Sequence, residues 1–144
     1  MTALCTEITE ATIARLVDGF YARVRNDPTL GPIFADVITD DAWPAHLQKM
    51  YAFWSSVMLT SGRYKGNPVN THRKIVGLAP SLFGDWLDLF EATATGMFVP
   101  EVAGRFICAA RRIAESLKLV LFFRTDQSWP EDLRHRSGSS STCT

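Results

Sequence analysis

The stretch Arg63-Tyr64-Lys65-Gly66-Asn67-Pro68-Val69-Asn70-Thr71-His72-Arg73-Lys74 divides the chain. Gly66, Asn67 and Pro68 stop any helix that reaches them, since glycine and proline are the strongest local breakers. A short helical turn over residues 69–76 then carries His72 before Gly77 and Pro80 break the chain again. Two strongly apolar helical patterns flank this connector. The one before it places Trp43, Leu47, Met50, Tyr51, Trp54, Val57 and Met58 on a wide stripe, with Phe53 beside it. His46 lies four residues before Met50, so the two share a face. The pattern after it gathers Leu82, Phe83, Trp86, Leu87, Leu89, Phe90, Thr93 and Met97.

Working outward, Asp40 or Asp41 is the predicted cap of the helix before the connector, and Ser61-Gly62 its end. Ser81 is the predicted cap of the helix after it. Thr9 caps a first helix in which Ile13, Leu16, Val17, Phe20, Tyr21 and Val24 recur at helical spacing. Tyr21 falls on the apolar face, where a buried hydroxyl needs a partner. Asn26-Asp27-Pro28 ends that helix, because the residue before proline leaves helical geometry. Residues 29–34 read as a tight corner planting Ile33 and Phe34 in the core. Pro100 suits the first turn of a last helix, which buries Val102, Phe106, Ala109, Ala110, Ile113, Ala114, Leu117 and Leu121 and runs to about Phe123. No strand-type alternation and no internal repeat is present. The fold class is all-α, with four longer helices and short connecting turns.

At 144 residues the chain fits one domain, since about 150 residues per domain is the usual scale. We place that domain at residues 1–126 and expect a disordered tail over 127–144. From Arg134 the tail is Ser-rich, with almost no apolar surface to bury. Fifteen basic residues balance fifteen acidic ones, which argues against a broad nucleic-acid footprint. No apolar run approaches the roughly 18 residues of a membrane span. Cys5, Cys108 and Cys143 are scattered, odd in number and form no C-x-x-C pair. A disulfide framework is not expected, and a reducing compartment, the cytoplasm, is. The first residues show neither a basic nor an apolar leader region, so no secretory signal is expected.

Taken alone, the histidines leave the function open. A histidine near an apolar face is usually a satisfied or partly exposed residue. Against that, His72 sits on a short segment between rigid aromatic helices, a common way to present a metal ligand. Neutral imidazole is a preferred ligand of haem iron.

Longer motifs decide between these readings. They are Phe20-Tyr21-x-x-Val24-Arg25-x-Asp27-Pro28-x-Leu30-Gly31-Pro32-Ile33-Phe34, Trp43-Pro44-x-His46-Leu47 and Phe53-Trp54-Ser55-Ser56. They continue with Gly62-Arg63-Tyr64-x-Gly66-x-Pro68, His72, Trp86-Leu87-x-Leu89-Phe90 and Arg112-Ile113-Ala114-x-Ser116-Leu117. Over about residues 8–123 the chain resembles the group III truncated haemoglobins, small bacterial globins with a two-over-two helical sandwich around a haem. Like them it lacks Gly-Gly hinges. It departs from them after His72, where Arg73-Lys74-Ile75-Val76-Gly77-Leu78-Ala79-Pro80 stands in place of a Leu-Pro-rich turn.

The resemblance implies haem b, held without thioether links because no C-x-x-C-H is present, with His72 as the metal ligand. The ring's second nitrogen should then bond a carbonyl or carboxylate. Tyr21, His46 and Trp86 would face the bound ligand. A phenol donating to a charged acceptor contributes about 1.5–3 kcal/mol, enough to slow ligand loss about ten- to a hundredfold. Met50, Phe53 and Trp54 would wall the distal side, with Phe90, Ile113 and Leu117 under or beside the macrocycle. Arg63, Tyr64, Arg73 and Lys74 are candidates for the propionates. The implied function is binding of O2, CO, NO or other diatomic ligands, served by an unknown reductase. A haem enzyme, either an NO dioxygenase or a peroxidase-like catalyst, and a haem-free helical interaction module are the alternatives.

Overall fold

Thr9 opens the first helix with a reciprocal cap. Its hydroxyl accepts from the Thr12 N–H at 3.1 Å, and the Thr12 hydroxyl accepts from the Thr9 N–H at 2.9 Å, so two donors that a helix start leaves orphaned are satisfied. The computed structural model describes residues 3–75 and 77–122. These form α1 (Glu10–Asn26), α2 (Leu30–Val37), a 3-10 turn (Asp40–Ala42), α3 (Trp43–Leu59), α4 (Pro68–Arg73), α5 (Pro80–Met97) and α6 (Pro100–Phe122). No strand occurs among the described residues. The predicted disordered tail over 127–144 lies outside them, as does the domain boundary at 126.

The corner at 29–34 is helical. The Asp27 carboxylate accepts from the N–H groups of Thr29 at 3.0 Å and Leu30 at 2.8 Å, which caps α2 directly after Pro28. Leu30 enters the core, while Ile33 and Phe34 are only half-buried. A Cβ at Gly31 would lie 2.8 Å from the Arg25 carbonyl oxygen, so glycine lets α2 fold back over the end of α1.

Two predicted caps are used differently. Asp40 pairs with Arg25 at 3.3 Å, and Asp41 accepts from the Thr39 hydroxyl at 2.6 Å. Both acids serve the 3-10 turn, and α3 starts at Trp43 with Pro44 in its first turn and no side-chain cap. At α5 the first residue is Pro80, so Ser81 is already inside the helix. Proline's fixed φ and missing N–H suit a helix start, so no cap is required of Ser81. α3 ends one residue earlier than predicted, with Thr60 in the left-handed region at φ 52°.

The α1/α3 pair lies over the α5/α6 pair, the two-over-two sandwich that the resemblance implied. Trp54 of α3 stacks on Phe90 of α5, with ring centres 4.9 Å apart and 16° between planes, and tilts against Phe106 of α6. Phe83, Ala114 and Leu117 form a smaller cluster, and α4 rests on α6 beside it. The Cys5 backbone donates to Met97 and accepts from Val99, at 2.8 and 3.0 Å, which ties the N-terminal segment to the α5–α6 corner. No helix among the described residues is long and apolar enough to cross a membrane.

Candidate functional site

His72 sits near the end of α4, one residue before its C-terminus. Asn67 caps this short helix by accepting from the Asn70 N–H at 3.1 Å. The helical register then brings the His72 Nδ1 to 2.6 Å from the carbonyl oxygen of Pro68, four residues back. A carbonyl can only accept, so Nδ1 carries a proton, and in the neutral ring Nε2 is the nitrogen with the lone pair. The imidazole lies 6.1 Å from the Phe83 ring, with 28° between planes.

The connector before α4 is fastened by a closed polar loop. The buried Ser55 hydroxyl donates to the Glu10 carboxylate at 2.7 Å. Its single proton is thereby used, so at 2.6 Å the Ser61 hydroxyl donates to Ser55. The Arg63 N–H donates to Ser61 at 3.3 Å, and the Arg63 guanidinium returns to Glu10. Next to this loop the Tyr64 N–H donates to Ser56 at 2.9 Å, and the Tyr64 ring meets Phe53 edge-on at 5.2 Å. The Tyr64 ring folds over Gly66, where a Cβ would stand 2.4 Å from the phenol oxygen. Burial raises the Tyr64 pKa.

Three long helices bring Tyr21, His46 and Trp86 together. Tyr21 of α1 is buried, with His46 edge-on at 5.1 Å and Trp43 tilted at 5.8 Å. Burial pushes its phenol pKa well up, and a hydrogen bond from the Trp86 indole opposes this in part. Tyr21 is therefore a neutral phenol. Its oxygen accepts from Trp86, which leaves its own proton to be donated elsewhere. Trp86 of α5 stacks on Phe90 at 5.4 Å and 8°, and Phe20 meets it edge-on at 5.2 Å.

His46 has a buried Nε2 with no hydrogen-bond partner, the one such side-chain atom among the described residues. Desolvation lowers its pKa from 6.5 to about 4, assisted by the positive charge of Lys49 and by His72. Near neutrality His46 is uncharged.

Of the remaining predicted site residues, Trp54 and Phe90 are buried in the main core, with Met50 and Phe53 half-buried against it. Ile113 bridges the main and the smaller clusters, and Leu117 belongs to the smaller one, beside Phe83. Arg73 and Lys74 are exposed at the end of α4. Arg63 pairs with Glu10. Sequence reasoning missed Phe20, Phe83, Pro68 and the Glu10–Ser55 pair. Only Pro68 left a usable signal. A helix begun at that proline puts its carbonyl one turn before His72.

An all-α two-over-two sandwich around an aromatic core fits the globin class. No family model matches the chain. It is 32% identical over 117 residues to the group 3 truncated hemoglobin ctb of Campylobacter jejuni, covering 80% of this chain and 92% of that relative. Its structure is similar to the crystal structure of the group III truncated hemoglobin from Campylobacter jejuni, with a TM-score of 0.79 and 31% identity, over 84% of this chain and 97% of that one. The chain belongs to the group III truncated haemoglobins.

Proposed function

We propose that this globin holds haem b through His72 and binds diatomic ligands on the side of Tyr21, His46 and Trp86. The observation that carries the reading is the state of the two histidines. His72 commits Nδ1 to Pro68 and keeps Nε2 as a free lone pair, while the buried Nε2 of His46 lacks any partner. A buried polar atom without a partner is costly unless something absent from the chain satisfies it. Among the described residues no three His, Cys, Asp or Glu side chains come together as a metal cage. A metal here must bring most of its own ligands, as a porphyrin does. The residues present fit the group.

Bound haem supplies an iron able to take O2, CO or NO. The chain's residues do the rest. The Pro68 carbonyl fixes the tautomer and orientation of His72 and makes its Nε2 more basic. Trp54 and Phe90, stacked on each other, share one side, and with Met50, Phe53, Ile113 and Leu117 they exclude water. Tyr64, Arg73 and Lys74 are the groups available to the propionates, with Arg63 available only by leaving Glu10. The Tyr21 hydroxyl, oriented by Trp86, donates its proton to the negative end of a bound ligand. His46, neutral and unpartnered, can add a second hydrogen bond.

Absorption spectra of the ferric, ferrous and CO-bound protein test the cofactor and the open ligand position together. His72→Ala is expected to lose the Soret band on desalting, and full haem retention in that variant overturns the assignment. Redox chemistry on NO or peroxide is the second reading. It is favoured by a neutral, unpaired His46 beside Tyr21, which suits proton transfer. Turnover above free haem that falls in Tyr21→Phe is its expected outcome.

A further inference from the structure

The start of α3 is fixed by a side chain rather than by a cap. Trp43 opens the helix without a side-chain hydrogen bond at its start, and its indole is 4% exposed. The first backbone donors of a helix have no partner within it, so an uncapped start frays unless packing holds it. Three elements outside the ligand pocket supply that packing. The Arg25 guanidinium, in the last turn of α1, lies over the indole, 4.6 Å from the ring centre. Asp40 of the 3-10 turn holds the same guanidinium at 3.3 Å. Phe34 of α2 stacks on the indole at 6.3 Å, with 23° between planes. It is carried there by the fold-back of α2 that Gly31 permits.

His46 follows Trp43 by three residues and so shares its face of the helix. Two rings flank its imidazole edge-on, Trp43 at 5.3 Å and 88° and Tyr21 at 5.1 Å and 87°. The buried Nε2 makes no hydrogen bond there. Water would solvate that nitrogen, so no polar contact of its own keeps the imidazole inside. Packing must hold it, and the packing that faces it across α3 is the indole.

We propose that Trp43 and Arg25 are positioning residues for the ligand pocket: Arg25 fixes the indole, and the indole holds His46 against Tyr21. The proposal rests on the reading of His46 as a ligand-side residue. Neither Trp43 nor Arg25 is given a contact with the ligand. Their effect passes through His46, whose buried nitrogen stays turned inward for a bound molecule. A planar cation over an indole is a directional contact, so the end of α1 sets the aim of a side chain on α3.

A double-mutant cycle on O2 release from the haem-loaded full chain tests this. His46→Leu and Trp43→Leu should each release O2 about tenfold faster, since a hydrogen bond to a charged acceptor is lost in both. In the His46→Leu background, Trp43→Leu should add nothing further, whereas additive effects overturn the proposal. Trp43→Phe, which keeps a ring beside His46, should restore slow release. Arg25 is half-exposed, so Arg25→Gln spares the core; it should speed release about threefold and likewise do nothing without His46. Proton NMR of the full chain, CO-bound where haem is present, gives a second readout. Cross-relaxation between the His46 and Tyr21 rings is expected in the unmodified chain and in Trp43→Phe, and should vanish in Trp43→Leu. Its persistence in Trp43→Leu overturns the proposal. A red chain in which His46→Leu leaves O2 release unchanged refutes the ligand-side role of His46 and the proposal with it. A chain that stays colourless yet shows this pattern of cross-relaxation refutes the haem reading and leaves the positioning of His46 standing.

Discussion

Tyr21, His46 and Trp86 stand on three long helices whose aromatic rings interlock, whereas His72 stands on a helix of six residues that rests on α6. The first wall is held by burial: Trp54 and Phe90 are each 1% exposed and stacked. The second is held by a few polar contacts, namely the Asn67 cap, the Pro68 carbonyl and the loop through Glu10, Ser55, Ser61 and Arg63. Apolar burial is nondirectional and spread over many atoms, so that wall resists small changes. Hydrogen bonds are directional and few, so the α4 wall depends on individual atoms. The polar loop is also where the walls are joined, since Glu10 starts α1 and Ser55 lies on α3.

The largest expected effect falls on the aromatic wall. Trp54→Ala removes the ring between α5 and α6 and should cost about 3–5 kcal/mol in urea unfolding, the usual range for emptying a large core site. Loss confined to local fraying would show that the rings are not the main support. Ser55→Ala comes next, at about 1–3 kcal/mol, because it leaves a Glu10 oxygen and the Ser61 hydroxyl without their partner. Hydrogen exchange should show the loss concentrated over residues 61–75. A uniform loss over α1, α3 and α5 would end the distinction between the two walls.

The smallest effect is one of pH. His46 titrates at about 4 in the folded chain against 6.5 as its ordinary value. As pH falls through that window the unfolded chain binds a proton that the folded chain refuses, so stability declines between the two values and levels off below the lower one. His46→Leu should flatten this decline in urea midpoints measured from neutrality to pH 4. An unchanged slope would mean that His46 is not desolvated. By contrast, Tyr51, half-buried on α3, has its pKa pushed up to about 12 chiefly by its hydrogen bond to Asp18, a local contact between α1 and α3.

The long helices were legible because apolar spacing encodes them directly. Ile13 to Val24 on α1 and Val102 to Leu117 on α6 bury the side predicted. Thr9 and Pro100 were legible as starts because each acts through its own backbone neighbourhood. Asp40, Asp41 and Ser81 were not, since a capping residue type reveals its role only when its competing partners are known, here Arg25, Thr39 and Pro80. Residues 29–34 hid a helix because Pro28 and Pro32 masked the Asp27 cap. In the pocket, Tyr21, His46 and Trp86 could be named from the motifs, and their meeting depended on how α1, α3 and α5 cross. The Arg63–Glu10 pair spans most of α1 and α3 in sequence, and no local pattern announces such a contact.

Phe90 lies between Trp54 and Trp86 in nearly parallel layers, at 16° and 8°. Two indoles fixed in a chiral array give a near-ultraviolet dichroism that survives only while side-chain packing is intact. The protein thus carries an optical gauge of its own interior, readable without a label before any prosthetic group is added.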